Sequence, residues 1–248
     1  MRAFSGPTIA NVYAQLIEYL KSKYAGRTQT TYECNDCVLT IKQPSLNSIR
    51  FPYRRKLSLN YAKAELEWYW SGNNSCKAIG EHASMWLRLS DDGKTSNSAY
   101  GYILEKKYGF DQIQQIVELL KRDPESRRAV LNISDPTIDR INTKDMQCTI
   151  AIQFLLRNNK LNISVYMRSN DVYFGLPYDY VYFISLQDYI ARQLHCEIGT
   201  YTHHAGSMHM YKKDLEKFDN LESNTLELTA DEIRKIVEDN YENKTRID

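Results

Sequence analysis

The sequence predicts one α/β (α+β) domain, in which helices pack on a β-sheet. Three observations predict it: apolar residues recur at helical spacing near both ends of the chain, strand-like segments cluster in the middle, and the length suits one core. A chain of 248 residues can bury about 70% or more of its unfolded surface. We see no repeat, linker or low-complexity stretch, so residues 1–248 are predicted to form a single domain.

In chain order, the first predicted element is a helix over Thr8–Lys23, whose apolar stripe is Ile9, Val12, Tyr13, Leu16 and Leu20. Residues Thr30–Gln43 have β character, and Asn35-Asp36 is predicted to form a hairpin turn between two strands. A second helix, rich in aromatic residues, is predicted over Ala64–Trp70.

The second half of the chain alternates between segments with helical spacing of apolar residues and segments with strand-like composition. A third helix, Phe110–Leu120, is predicted to stop before Asp123-Pro124, because a residue that precedes proline leaves the helical region. Strands are predicted over Ala129–Ile133, Thr149–Leu156 and Leu161–Met167. The remaining predictions are a helix over Asp179–Leu194, a short strand over Tyr201–Ala205, and helical segments over Asp214–Phe218 and Ala230–Tyr241.

Charge and cysteine content narrow the functional classes. The formal net charge of +1 gives no global basic field, so a nucleotide bound by local arginines is expected rather than a nucleic-acid polymer. Five irregularly spaced cysteines indicate a reducing compartment, and we expect a cytoplasmic protein (host cytoplasm if phage-encoded). The sequence has no signal-like or membrane-spanning segment, so no membrane partner is expected.

Two motifs carry the chemistry: Gln147-Cys148-Thr149 before one strand, and the run Tyr166–Tyr180 at the end of another. A cysteine acts as a nucleophile when it is a thiolate, and a nearby cation stabilises that form. Arg168, one strand away, is suited to that task. These strings resemble the nucleotide-binding core of the thymidylate synthase superfamily. The resemblance implies a thymidylate synthase-like fold with a mixed β-sheet, one face forming a dimer interface and the other covered by helices.

The resemblance also implies roles for individual residues. Cys148 would add to C6 of a pyrimidine, Glu65 would handle protons or order water with a raised pKa, and Asp179 would complete the catalytic set. The implied nucleotide-binding residues are Arg27, Arg127, Arg128, Arg168, Ser169, Asp171, Asp179, His209 and Tyr211. The implied contacts to methylenetetrahydrofolate, the one-carbon donor, are Trp86, Tyr100, Asp171, Phe174 and Gly175. Arg127 and Arg128 would cross the two-fold axis of a homodimer to reach the partner's nucleotide.

Asp179 stands where thymidylate synthases have an asparagine that pairs with uracil. An ionised carboxylate has acceptors only, so it suits the amine N4 of cytosine better than the acceptor O4 of uracil. Gln147, Thr149 and Ser207 also depart from the synthases, in ways that resemble the deoxycytidylate hydroxymethylases of large DNA phages. The last residues, 244–248, do not resemble the apolar tail by which the synthases close over folate. We therefore expect transfer of a one-carbon unit to C5 of dCMP with capture of water, giving 5-hydroxymethyl-dCMP and tetrahydrofolate.

Other functions remain open at this point. They are thymidylate synthesis, hydroxymethylation of dUMP, methylation of CMP or dCMP, and nucleotide binding without chemistry. Cys34 and Cys37 have the spacing of a metal-ligand pair, but a structural zinc site needs four ligands and the sequence has no second pair of this kind. We expect no metal and interpret them as thiols facing each other across the predicted hairpin.

Overall fold

Within residues 1–47, 49–52, 57–219, 224–225 and 228–243, which the computed structural model describes, a seven-stranded mixed sheet forms the centre of the fold. The strands are β1 (Arg2–Gly6), β2 (Gly26–Arg27), β3 (Thr31–Ile41), β4 (Arg50–Phe51), β5 (Val130–Asn132), β6 (Thr149–Arg157), β7 (Lys160–Asp171), β8 (Glu197–Tyr211) and β9 (Asn224–Thr225). The sheet order is β1-β3-β8-β7-β6-β5, with β2 also against β3, while β4 and β9 pair separately. Strands β7 and β8 run parallel at the centre, and so do β1 and β3 at one edge.

The helices are α1 (Ile9–Lys21), α2 (Leu59–Trp70), α3 (Cys76–His82), α4 (Met85–Leu89), α5 (Tyr100–Glu105), α6 (Gln112–Arg122), α7 (Gly175–Gln193) and α8 (Ala230–Val237). A 3₁₀ helix spans Lys212–Phe218, and a π-helical turn, Glu238–Glu242, extends α8. Side-chain caps fix the residues at which several helices begin. Thr8 accepts a hydrogen bond from the backbone of Asn11 at the start of α1, and Asp111 accepts two at the start of α6. No helix in the described part of the chain is both long and apolar enough to cross a membrane.

Helix α7 is buried along most of its length and packs against β7 and β8. The chain reaches it from the end of β7 by a tight turn, in which the carboxylate of Asp171 accepts hydrogen bonds from the backbone N–H groups of Tyr173 (3.0 Å) and Phe174 (2.9 Å). This turn places the N-terminal part of α7, which carries Asp179, directly beside the end of β7.

The two faces of the sheet differ in exposure. One face is covered by the helices, while alternate residues of the central strands are half-exposed on the other: Val38, Thr40, Ser164, Tyr166, Thr202 and His204. On this open face the rings of Tyr166 and His204 stack with centroids 4.7 Å apart. The predicted α+β class with a mixed sheet is confirmed.

The predicted hairpin at Asn35-Asp36 is wrong. Strand β3 runs through both residues, and its two halves pair with the single long strand β8 in one register. Asp36 adopts a left-handed conformation, with φ of 48°, inside the strand rather than in a turn. This residue breaks the usual alternation, so Cys34 and Cys37, three residues apart, are both buried on the same strand and do not face each other across a hairpin.

The other predicted elements are present with different bounds. The strand predicted over Tyr201–Ala205 is the middle of the 15-residue β8, and Asp214–Phe218 is 3₁₀ rather than α-helical. Arg127 and Arg128 lie in a loop, as predicted. The helices α3, α4 and α5 and the edge strand β1 had no prediction. Residues 244–248 lie outside the described residues.

Candidate active site

Cys148 lies just before β6, next to Arg168 on β7. The Nη2 atom of Arg168 is 3.8 Å from the Cys148 sulfur, and its backbone N–H donates to the Cys148 carbonyl at 2.8 Å. The guanidinium also donates to the carbonyls of Gln147 and Met146, at 2.9 Å each. These bonds hold a positive charge beside the sulfur in a fixed direction.

The charge beside Cys148 does not by itself produce a thiolate. Burial raises the pKa of the Cys148 thiol, and the carboxylates of Asp179 and Asp145 raise it further, while Arg168 lowers it. Burial outweighs the arginine, so the pKa stays above its usual value. The thiol is therefore protonated in the free protein at neutral pH and must lose its proton when it attacks.

The segment before Cys148 is fixed by a neighbouring loop. The carboxylate of Asp145 accepts hydrogen bonds from the hydroxyl of Ser96 (2.6 Å) and the backbone of Ser98 (3.1 Å). The amide of Gln147 donates to the Asn97 carbonyl at 2.5 Å. Because both sides of this contact are buried, the sulfur has a defined position relative to the sheet.

Asp179 and Asn170 form a second part of the site. The Nδ2 atom of Asn170, at the end of β7, donates to Oδ2 of Asp179 at 2.7 Å. Gly175 leaves room for this contact, because a Cβ atom there would lie 2.8 Å from the same Nδ2. Removal from water raises the pKa of Asp179 to about 7, with Asn170 opposing the rise and the negative charge of Asp171 adding to it.

Glu65 lies buried on α2 with two aromatic partners. The hydroxyl of Tyr61, one helical turn earlier, donates to Oε1 of Glu65 at 2.5 Å, and the indole N–H of Trp86 donates to the Tyr61 hydroxyl at 3.0 Å. Burial raises the pKa of Glu65 to about 8, the bond from Tyr61 opposes the rise, and Asp179 adds to it. The predicted rise in the pKa of Glu65 is confirmed. Glu65 and Asp179 are thus two neighbouring acids that are substantially protonated near neutral pH.

Ser169, Asp171, His209 and Tyr211 meet where β7 and β8 end together. Asp171 pairs with His209 in the parallel register, and the Ser169 hydroxyl lies 3.4 Å from Nδ1 of His209. The ring of Tyr211, which is exposed, packs edge-on against His209. Burial and the nearby charges of Asp171 and Cys148 raise the pKa of the Tyr211 hydroxyl. The structure thus places these four polar side chains on the side of the site where Cys148 lies.

The remaining arginines lie apart from this cluster. The Arg127 carbonyl accepts from Gln153, which is five residues along β6 from Cys148, a distance of about 16 Å in an extended strand. Arg127 and Arg128 are exposed, and Arg128 lies 3.6 Å from Asp123. Arg27 lies on β2, two strands away from β8 beyond β3, with its guanidinium over the ring of Tyr32. The single chain thus keeps Arg127 and Arg128 away from Cys148, while Arg27 is aligned through Tyr32 with Met210, next to His209 and Tyr211.

The residues predicted to contact folate differ in exposure. Phe174 is 54% exposed at the turn into α7, whereas Trp86 and Tyr100 are 7% and 4% exposed. The Tyr100 ring stacks on Tyr69, and Trp86 packs against Trp68. Phe174 is therefore accessible to solvent, with the Lys217 ammonium 5.8 Å from its ring centroid, whereas Trp86 and Tyr100 belong to the buried aromatic core.

Asn170 and Tyr61 had no predicted role. The signal for Asn170 was its place in Arg168–Asp171, because each of the other three residues had a predicted role. The signal for Tyr61 was its spacing of four residues from Glu65 on a helix. Among the described residues no group of three or more His, Cys, Asp or Glu side chains is arranged to hold a metal ion.

Comparison with known proteins gives one family. A family model for thymidylate synthase matches residues 12–243. The deoxyuridylate hydroxymethyltransferase of Bacillus phage SP01 is 29% identical over 230 residues, which are 86% of this chain and 60% of that enzyme. The deoxycytidylate 5-hydroxymethyltransferase of Enterobacteria phage T4 is 30% identical over 63% of this chain and 69% of its own length. A putative thymidylate synthase of Methanocaldococcus jannaschii is 30% identical over 85% of this chain and 91% of its own length.

Proposed function

This chain belongs to the thymidylate synthase family of one-carbon transferases, and we propose that it is a deoxycytidylate 5-hydroxymethyltransferase. The reaction would transfer a one-carbon unit to C5 of dCMP and release 5-hydroxymethyl-dCMP and tetrahydrofolate. The observation that carries the proposal is the carboxyl group of Asp179, held by Asn170 within the electrostatic reach of both Cys148 and Glu65.

Asp179 supports cytosine as the base. An ionised Asp179 accepts a hydrogen bond from the amine N4 of cytosine but repels the carbonyl O4 of uracil. A polar group left unpaired in a buried site costs about 1–3 kcal/mol, which is a discrimination of roughly tenfold to a hundredfold. An ionised carboxyl group at this position is therefore enough to set the base preference.

Cys148 and Arg168 support covalent catalysis. The thiolate of Cys148 would add to C6 of the base, which makes C5 nucleophilic toward the one-carbon unit. Arg168 would stabilise the sulfur's negative charge at 3.8 Å as the thiol proton leaves. After the one-carbon unit has bonded to C5, loss of the C5 proton and departure of tetrahydrofolate with the carbon–nitrogen electron pair would leave a methylene group on C5. Once water has added to that group, the bond from C6 to sulfur would break with its electron pair returning to the cysteine.

Glu65 and Tyr61 support capture of water. Glu65 is protonated at neutral pH and bonded to Tyr61, so it can give a proton to the base and then, as a carboxylate, accept one from water. A water molecule oriented by this pair would attack the exocyclic methylene group on C5 and leave a hydroxymethyl group. This chemistry separates hydroxymethylation from methylation, in which hydride reaches the same carbon.

The folate site is supported by the residues around the turn into α7. Methylenetetrahydrofolate supplies the one-carbon unit when it is bound. The exposed side chain of Phe174 would contact the aromatic part of the folate, and the buried Trp86 and Tyr100 would support the site from the core. Asp171 and Gly175, also predicted to contact folate, hold the turn and Asn170 in place.

A homodimer is part of the proposal. The half-exposed face of the sheet is available to a second copy, and the distance of Arg127 and Arg128 from Cys148 is explained if they bind the partner's phosphate. A mixture of Cys148→Ala subunits and Arg127→Ala/Arg128→Ala subunits should then recover activity on subunit exchange, because one composite site in the hybrid is intact. If each variant alone is inactive and the exchanged mixture is too, the crossing of the arginines is refuted.

Hydroxymethylation of dUMP is the second candidate. It is favoured by the similarity to the phage SP01 enzyme, which extends over more of this chain than the similarity to the phage T4 enzyme. Both candidates capture water, and they differ at the base that Asp179 reads.

The water step can be tested with labelled solvent. Purified protein, methylenetetrahydrofolate and dCMP would be incubated in water labelled with heavy oxygen, and the nucleotide analysed by mass spectrometry and the folate by absorbance. We expect one labelled oxygen in 5-hydroxymethyl-dCMP and tetrahydrofolate as the second product. A methylated nucleotide with dihydrofolate would refute water capture.

A further inference from the structure

Asn170 is a buried amide beside the carboxyl group that reads the base in the proposed function. Its side chain donates to Oδ2 of Asp179, and the residue is 3% exposed. Its own Oδ1 is buried and has no hydrogen-bond partner among the described residues. A half-satisfied buried amide costs stability, so its position next to Asp179 calls for an explanation.

A carboxyl group that takes up a proton is ambiguous toward pyrimidines. Cytosine presents a donor at N4 and an acceptor at N3, whereas uracil presents an acceptor at O4 and a donor at N3. A neutral carboxyl group has one donor and one acceptor oxygen, and moving its proton from one oxygen to the other changes it from the complement of one base to that of the other. Since removal from water raises the pKa of Asp179 to about 7, this ambiguity arises near neutral pH.

The contact with Asn170 removes the ambiguity. An amide N–H at 2.7 Å needs a lone pair on Oδ2, and a carbonyl oxygen is a better acceptor than a hydroxyl oxygen. We infer that Asn170 is a positioning residue for base selection, which keeps the proton of Asp179 on Oδ1 and so leaves one order of donor and acceptor facing the base. The inference rests on the proposed function, in which Asp179 recognises cytosine: Oδ2 accepts from N4 in either protonation state, and in the neutral form the Oδ1 hydroxyl donates to N3.

The other groups around Asp179 explain why the ordering of its carboxyl group is left to Asn170. The titratable groups that face the carboxyl group all have acidic side chains. They are Glu65 and Tyr69 on α2, Tyr100 on α5, Cys148 before β6, Asp171 at the end of β7 and Tyr201 on β8. The cation nearby, Arg168, donates to the carbonyls of Met146 and Gln147 and lies against the Cys148 sulfur. The amide of Asn170 therefore orders a carboxyl group that its charged neighbours do not fix. Gly175 makes the contact possible, since a Cβ atom would displace the amide.

The test is a competition assay across pH. Wild-type protein, Asn170→Leu and Asn170→Ala would each be given dCMP and dUMP together with methylenetetrahydrofolate, and the ratio of products measured by mass spectrometry. In both variants we expect the preference between the bases to fall roughly tenfold as the pH is lowered through the pKa of Asp179, because the neutral carboxyl group can then pair with either base. The wild type should keep its preference over the same range. Two variants of different size separate loss of the amide from a packing defect.

A double-mutant cycle gives the matched control. In an Asp179→Asn background, replacing Asn170 should leave the product ratio unchanged, because the carboxyl group that it orders is absent. If the variants lower turnover of both nucleotides equally with an unchanged ratio, or if the ratio changes as much in the Asp179→Asn background, the inference is overturned. The wild-type ratio separately tests the proposed function, because a preference for dUMP would refute that function. A narrower preference in the variants would still support the positioning role of Asn170.

Discussion

The two ends of the candidate site differ in charge and in protonation. At the nucleophile end, Cys148 lies beside the exposed guanidinium of Arg168, which carries a permanent positive charge. At the base-reading end, Glu65 and Asp179 are acids whose pKa values are raised to about 8 and about 7 by removal from water. In the proposed function this difference would let one end stabilise a charge that develops during the reaction, while the other end would keep neutral donors and acceptors for recognition.

The largest effect is expected at the nucleophile end. Cys148→Ala removes the sulfur that forms the covalent bond to C6 in the proposed function, so turnover should fall below detection. Binding of dCMP, measured by calorimetry, should persist because the base-reading end is intact. Cys196→Ala, at the far end of the sheet, is the matched control and should retain activity. Turnover by Cys148→Ala would remove this residue as the nucleophile.

The next effect is expected for Glu65. Glu65→Gln keeps the shape of the side chain but cannot exchange a proton, so kcat should fall by about 10²–10⁴-fold, as is typical for loss of an acid or base. Glu67→Gln alters the exposed carboxylate two residues along α2 and should leave kcat unchanged. Equal kcat in the two variants would show that Glu65 has no part in the chemistry.

A smaller effect is expected for Tyr61, which acts through Glu65. The Tyr61 hydroxyl stabilises the ionised form of Glu65 and so lowers its pKa. Tyr61→Phe removes that bond, so the limb of the pH–rate profile that reports Glu65 should move to higher pH, by about one unit. Tyr19→Phe, which removes a hydroxyl bonded to the Tyr24 carbonyl, is the control and should not move it. A limb that stays in place or moves to lower pH contradicts the assignment.

The sequence predicted much of the fold because helical spacing and strand composition are local. The stripe of α1 and the stop of α6 before Pro124 needed no tertiary information. The hairpin at Asn35-Asp36 failed because the same residue types tolerate left-handed φ in turns and inside strands, and β8, which is far along the chain, decides between them. Short helices such as α4 carry too few turns for a periodic signal.

The sequence indicated candidate site residues but not the interactions between them. Resemblance pointed to Cys148, Glu65 and Asp179, and in the structure Asp179 interacts electrostatically with both of the others. The resemblance could not show that burial outweighs Arg168 in setting the pKa of Cys148, because burial is a property of the folded chain. For the same reason it gave no role to Asn170, whose partner is nine residues away.

The central claim is that Asp179 selects cytosine. Wild-type protein and Asp179→Asn would each be given equal concentrations of dCMP and dUMP with limiting methylenetetrahydrofolate, and the modified nucleotides counted by mass spectrometry. The account predicts 5-hydroxymethyl-dCMP as the main wild-type product and a shift of roughly tenfold to a hundredfold toward modified dUMP in the variant. A wild-type preference for dUMP, or a preference for dCMP that the variant leaves unchanged, would contradict it.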